Sequence, residues 1–283
     1  MSLAQQEGVA RQPNNRQKIP KILHHIFLGT ADFGPPLSDA QRKRWDKCVK
    51  TCIKRSADFK HVLWNNSIVL DMLHKYYPSH VENYQSYSYG VQRADAARYF
   101  ILHKFGGIYI DMDIGCRAPL RDVFKFVEDQ NARVALPENG WSGLTNDLLI
   151  STPHHPFFAR TISSLASYNL NYGLPYVTVM RSTGPGFMTN IYNQYIEQVS
   201  WTGAPTDVII LSADLSHHNG KFFFHTQGSS WHAADGRIIR YCYSNFKSLL
   251  LLTLIVILVV LYVNRGRVIK RRRSLTIQHK TFL

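Results

Sequence analysis

Residues 93–116, RADAARYFILHKFGGIYIDMDIGC, put two acidic residues, Asp111 and Asp113, one position apart directly behind an apolar run. A third, Asp95, sits in a largely apolar helical pattern upstream. Like charges this close repel, so Asp111 and Asp113 call for a cation between or beside them. Their hard oxygens suit Mg²⁺ or Mn²⁺, ions that bind few protein ligands and complete their shell with substrate phosphates. The chemistry indicated is the handling of a phosphorylated substrate through a divalent ion.

The flanking pattern predicts how these groups are positioned. Val91, Asp95, Arg98, Leu102 and Phe105 recur at spacings of three or four, which predicts a helix from Tyr89 to Phe105 with all five on one face. An Asp95–Arg98 ion pair on a surface helix contributes only a few tenths of a kcal/mol, roughly. Charge on a core-facing stripe costs more in desolvation than that, which favours a face looking into a cleft. Gly106-Gly107 then ends the helix with a positive-φ cap and a tight turn. Residues 108–110 read as a strand, and an extended chain would point Asp111 and Asp113 the same way and Met112 the other. The carboxyl edge of an α/β sheet is where such folds hold ligands.

The rest of the chain frames that site. KILHHIFLG at 21–29 reads as a first buried strand, 39–53 as a helix capped by Ser38, 59–64 as a strand and 67–77 as a helix. Helices follow near 155–170 and 186–199, with strands at 207–211, 221–225 and 237–241. The alternation predicts an α/β fold with a mainly parallel central sheet, one domain over 19–243 behind a polar segment at 1–18. STGPGF at 182–187 reads as a turn, and the His154-His155 pair in TPHHPFF as capping at a helix start.

Lys and Arg outnumber Asp and Glu by 33 to 19 among 283 residues, but seven of the basic residues lie in the last twenty positions. That tail, 264–283, follows SLLLLTLIVILVVLYV at 248–263, so a membrane surface rather than nucleic acid is the expected partner. The run is short for an average bilayer and suits a thinner ER-like one. It reads as a single transmembrane helix with a cytosolic basic tail and the domain on the lumenal side. Residues 1–20 carry no apolar signal segment, so either the natural N-terminus lies upstream or the tail inserts unaided and the domain faces the cytosol. Asn65-Asn66-Ser67 is a glycosylation sequon. Cys48 and Cys52, at helical spacing, are expected to pack, and a Cys116–Cys242 pairing is open in an oxidising lumen.

A bare D-x-D is common. Joined to a strand, a Gly-Gly turn and a helix carrying Asp and Arg, the segment at 93–116 resembles the donor site of the DXD-containing GT-A glycosyltransferases of the initiation-specific mannosyltransferase type. It is most similar to the fungal inositol-phosphorylceramide mannosyltransferases. The likeness runs more loosely from IPKILHHIFLG at 19 to SSWH at 232.

The resemblance implies a GT-A (Rossmann-like) domain and a metal-dependent retaining transferase. It implies a hexose, mannose from GDP-mannose, moved to inositol phosphorylceramide at the Golgi or ER membrane. Asp95 and Arg98 match donor-contacting helix positions, Asp111 the ribose and metal position, and Asp113 a direct ligand of Mn²⁺ or Mg²⁺. Asn146 and Asp147 match a polar pair near the reacting sugar. In FFFHTQGSSWH, His225 and then His232 match further metal ligands, and Trp231 would pack on the nucleotide sugar or donate to a phosphate. From the residues alone, His225 is as readily a strand-end histidine and Trp231 a core aromatic. The family also implies a small regulatory membrane subunit. A glycoprotein glycan as acceptor, or an inactive membrane-anchored scaffold of the same fold, are the competing readings.

Overall fold

The largely buried segment at 22–26 forms β1 (Ile22–Ile26), on which the sheet is built: β2 (Lys60–Trp64) and β3 (Gly107–Ile110) pair parallel to it on either side. The protein was described from a computed structural model covering residues 17–29, 38–138, 143–203, 205–216, 220–226 and 234–257, the last without 247, 249 and 252. β6 (Leu148–Ser151) runs antiparallel to both β3 and β5 (Val134–Pro137), and β7 (Val208–Leu211) is parallel to β5. The six described strands lie in the order β2-β1-β3-β6-β5-β7 with one of them reversed, the mainly parallel α/β sheet expected.

Strand alternation divides the core into two layers. Tyr109 and Leu149 face α4 (Gly90–Phe105), α6 (Pro156–Tyr168) and α8 (Pro185–Trp201) through Tyr99, Phe157, Phe158 and Phe187. Ile108, Ile110, Leu148 and Ile150 face the other way, toward Cys52 of α1 (Asp39–Lys54) and Val123 and Val127 of α5 (Leu120–Asp129). Ser38 caps α1 in a reciprocal capping box with Gln41, as its position predicts. Asn65 of the sequon caps α2 (Asn66–Tyr76), and His155 accepts from Phe157 N at the start of α6.

Gly106 and Gly107 adopt φ of +63° and +95°. A Cβ on Gly107 would stand 2.5 Å from Ile22 O, so the β1–β3 pairing needs glycine there. Gly107→Ala is expected to cost about 3 kcal/mol, read as a lower urea midpoint.

Immediately after the Asp111–Asp113 turn, β4 (Ile114–Cys116) pairs antiparallel with β8 (Phe223–His225), and α1 packs on β4. A disulfide joins Cys52 to Cys116, their Cα atoms 4.7 Å apart, in place of a Cys116–Cys242 bridge. Helical spacing put Cys52 on the inner face of α1, and β4 delivers Cys116 beneath it. Cys242 is free and exposed. The bridge spans 64 residues, a loop for which the chain-entropy account gives about 4 kcal/mol. Cys52→Ala with Cys116→Ala should lose about that in urea unfolding, and reductant should destabilise the unsubstituted protein but not the variant.

The segment 237–241 is not a strand. It lies within α10 (Ala234–Ser244), where local helical hydrogen bonding prevails over the β propensity of Ile238 and Ile239. The structure adds β5, β6, α5, α3 (Val81–Gln85), α7 (Pro175–Ser182) and α9 (Ala213–Ser216).

The chain forms two compact units, Met1–Trp231 and His232–Leu283. In the second, Ile238, Tyr241, Phe246, Leu250, Leu251, Leu254, Ile255, Val256 and Ile257 are exposed. No helix among the described residues is long and apolar enough to cross a membrane. The span expected at 248–263 extends beyond the described residues, and the tail at 264–283 and most of 1–18 lie outside them.

Candidate functional site

The D-x-D segment is a tight turn rather than extended chain: Ile114 N donates to Asp111 O at 3.1 Å. The alternation expected for Asp111 and Asp113 therefore does not apply. The turn keeps the two carboxylates close enough to repel one another. Burial, followed by repulsion from Asp111 and Asp147, pushes the Asp113 carboxyl up to about 8. Burial raises Asp111 as well, against the pull of Arg98. Its side chain is still 31% exposed, so it is the wet end of an otherwise buried network.

The turn is held from three directions. Asp111 N donates to Asp147 O at 2.8 Å, tying the end of β3 to the start of β6. Thr226, just past β8, donates to Asp113 O from its backbone N at 2.9 Å and its hydroxyl at 3.0 Å. The Cys48 thiol on α1 reaches the same carbonyl at 3.5 Å. Burial raises the Cys48 pKa, which keeps the thiol protonated and able to donate.

Two buried histidines fix β3 at its ends. His24 bonds Gly106 O through Nε2 at 2.9 Å and accepts from Trp64 Nε1 at 3.1 Å, while His25 Nδ1 bonds Ile110 O at 2.8 Å. Burial lowers both imidazoles to about 4, so they are neutral donors to carbonyls.

Behind Asp111 lies an interior charge network. Arg98 meets Asp95 at 2.9 Å, Asp111 at 3.4 Å and Asn146 O at 2.5 Å, and its guanidinium lies 4.6 Å from the Tyr109 ring centroid. The Tyr109 hydroxyl donates to Asp111 Oδ1. Asp95 also accepts from Asn146 Nδ2 at 3.0 Å and Thr183 Oγ1 at 3.2 Å, and Tyr99 donates to Thr183 O at 2.5 Å. Burial holds Asp95 up at about 6 despite Arg98, leaving it ionised at neutral pH. The pair is thus an interior brace linking α4, the β5–β6 loop and the turn before α8.

Asp147 accepts from Thr145 Oγ1 at 2.5 Å, and its Oδ2 lies 3.9 Å from His225 Nδ1. β8 places His225 opposite Ile114, one residue beyond Asp113. The structure thus brings Asp95, Arg98, Asp111, Asp113, Asn146, Asp147 and His225 to one edge of the sheet. Trp231 and His232 lie outside the described residues.

Among the described residues no three His, Cys, Asp or Glu groups form a complete metal cluster. The donor set still fits a hard divalent ion. Asp147 raises the proton affinity of Asp111 and Asp113, and Asp111 that of Asp113, and Mg²⁺ or Mn²⁺ needs only one or two carboxylates, with water and phosphate filling the shell. Tyr109, Tyr99, Thr183, His24, His25 and Thr226 were not singled out from sequence. Tyr109 and the adjacent histidines sat in the strands already predicted, where they read as core.

Residues 42–132 match the family described as glycosyltransferase sugar-binding region containing DXD motif. Inositol phosphoceramide mannosyltransferase 1 of Schizosaccharomyces pombe is 30% identical over 279 residues, 97% of this chain and 81% of that protein. Mannosyl phosphorylinositol ceramide synthase CSH1 of Saccharomyces cerevisiae is 35% identical over 224 residues, 79% of this chain. The alignment spans about half of that relative, 56% of its length. Among solved structures, the ligand-free glycosyltransferase domain from the YGT toxin superposes with a TM-score of 0.49 at 9% identity, over 69% of this chain and 81% of that one.

Proposed function

The chain belongs to the DXD-containing glycosyltransferase family that includes the fungal inositol phosphoceramide mannosyltransferases, and from that premise we propose that it transfers mannose from GDP-mannose to inositol phosphorylceramide. The observation that carries this reading is the convergence of Asp111, Asp113 and Asp147 with His225 at the sheet edge. A site built to hold mutually repelling carboxylates is suited to a cation and the diphosphate that accompanies it.

In this reading Asp113 would hold Mn²⁺ or Mg²⁺, with His225 as a further ligand. When bound, the ion supplies Lewis-acid neutralisation of the leaving diphosphate. Asp111 accepts from the ribose or shares the ion. Tyr109 and Arg98 fix its carboxylate by donating to it, so Arg98 serves the donor through Asp111. Asp95 holds Arg98 and Asn146 in place, which sets the β5–β6 loop and presents Asn146 and Asp147 to the sugar. The family resemblance assigns Trp231 to packing on the nucleotide sugar or to donating to a phosphate. Retention of the anomeric configuration is read as attack on the leaving-group face, with the departing phosphate taking the acceptor's proton.

The acceptor reading rests on the relatives' names and on the apolar run at 248–263, which would keep catalysis at a membrane. The Cys52–Cys116 bridge supports a lumenal, Golgi or ER, placement of the domain. The test is transfer to inositol phosphorylceramide in detergent micelles, with GDP-mannose and UDP-hexoses in parallel. Metal-dependent formation of a mannosylated lipid from GDP-mannose alone is expected. Equal use of UDP-sugars, or transfer only to a glycan, would overturn the donor or acceptor assignment respectively.

A further inference from the structure

The outer face of α1 carries a basic stripe that the transfer reaction does not use. Lys43, Lys47, Lys50 and Lys54 recur at i, i+4, i+7 and i+11, which aligns them along about 16 Å of helix, opposite the buried Cys48 and Cys52. With Asp46 and Thr51 they line a surface hollow of about 440 Å³. All four lysines are exposed. Two other surface lysines are neutralised by carboxylates, Lys21 by Asp58 at 2.6 Å and Lys125 by Asp129 at 2.8 Å. Among the described residues none of the four stripe lysines has an ion-pair partner, although Asp46 shares the hollow.

We propose that this stripe docks the catalytic domain on anionic lipid headgroups of the bilayer. Four unneutralised ammonium groups in one straight row complement a plane of phosphates, and one carboxylate offsets only part of that charge. A bilayer is the favoured anion because the same chain carries the charge-free run at 248–263 with its basic flank. Leu250, Leu251, Leu254, Ile255, Val256 and Ile257 expose apolar surface that hydrocarbon would cover. Each lysine near an anionic surface strengthens attachment about fivefold, so the row provides a sizeable orienting force of its own. α1 also touches the D-x-D turn through Cys48, so docking this helix would hold the site in a constant relation to the membrane. The inference extends the reading of a membrane-borne acceptor and is independent of the sugar chemistry.

The experiment is lysine acetylation footprinting, read by mass spectrometry, on the full chain reconstituted in lipid nanodiscs. One set contains phosphatidylcholine alone and the other contains added phosphatidylinositol. Lys43, Lys47, Lys50 and Lys54 should lose about fivefold or more of their reactivity in the phosphatidylinositol discs, recover it at high salt, and leave Lys125 unchanged. Lys47→Gln with Lys50→Gln, which touches no core group, should raise the apparent KM for lipid acceptor about 25-fold and leave GDP binding as it was. Equal reactivity in both discs would overturn the proposal. So would protection by inorganic phosphate, or by a short RNA, in phosphatidylcholine discs, since either would mark a site for free anions or nucleic acid. Intact transfer with an unprotected stripe would remove the docking face and leave the transferase reading standing.

Discussion

Asp113→Ala should reduce metal-dependent transfer by about 10³-fold or more and should not lower the melting temperature of the metal-free protein. The two halves have one cause. Asp113 sits where burial and the Asp111 and Asp147 carboxylates oppose its charge, and its carboxyl is raised to about 8. An acid whose folded pKa exceeds its unfolded value binds more protons folded than unfolded between the two. Its contribution to stability is therefore complete below about 4 and is lost as pH rises to about 8. In chelator, the parent protein should lose melting temperature across that window, and the alanine variant should show a flatter profile. Thermal melts at stepped pH, beside initial rates with saturating Mn²⁺, measure both. A variant that lost activity and stability together would mean that Asp113 is structural.

Arg98→Met is the substitution expected to damage the fold most. Arg98 and Asp95 side chains are each 5% exposed and meet at 2.9 Å, so deleting the cation leaves a carboxylate buried without its partner. Such losses cost about 3–5 kcal/mol. Asp111 and the Asn146 carbonyl lose their shared donor at the same time. Arg98→Lys restores charge but cannot reach three acceptors from one planar fork while lying over Tyr109, so it should recover only part of the stability. Asp95→Asn combined with Arg98→Met should be less destabilised than Arg98→Met alone, because the uncompensated charge is gone. Urea midpoints of the three variants decide this. A double variant no more stable than Arg98→Met alone would show that the two residues do not act as a unit.

Much of the sheet was legible before any coordinates because it is written locally. The buried runs at 22–26 and 108–110 have strand length, Ser38 and the Gly-Gly pair punctuate the helices, and the 3–4 spacing of Asp95 and Arg98 survives as an observed face. What escaped was long-range. The reversed strand β6 and its partner β5 are four residues each, too short for a periodicity to declare itself. Cys52 meets Cys116 only because α1 lies on β4, a pairing across 64 residues. The strand expected at 237–241 falls inside the helix Ala234–Ser244, where the β propensity of Ile238 and Ile239 lost to local helical bonding.

At the site, the acidic residues were visible and their geometry was not. Asp111 and Asp113 converge through a turn that alternation does not anticipate, and Tyr109, a core residue by pattern, reaches Asp111 with its hydroxyl. Asp95 and Arg98 do not look into an open cleft, as their stripe led one to expect, but are buried and satisfy each other's charge in the interior. Their neighbours from Asn146 and Thr183 arrive from 51 and 88 residues away.

The D-x-D turn is expected to hold a divalent ion for the donor's diphosphate. Calorimetric titration of GDP into the protein, in chelator and in Mn²⁺, tests it most directly, with Asp113→Ala run alongside. Binding that tightens at least about tenfold in Mn²⁺, and loses that gain in the variant, is the predicted result. GDP binding of equal strength with and without the ion, in protein that remains folded, would contradict the account.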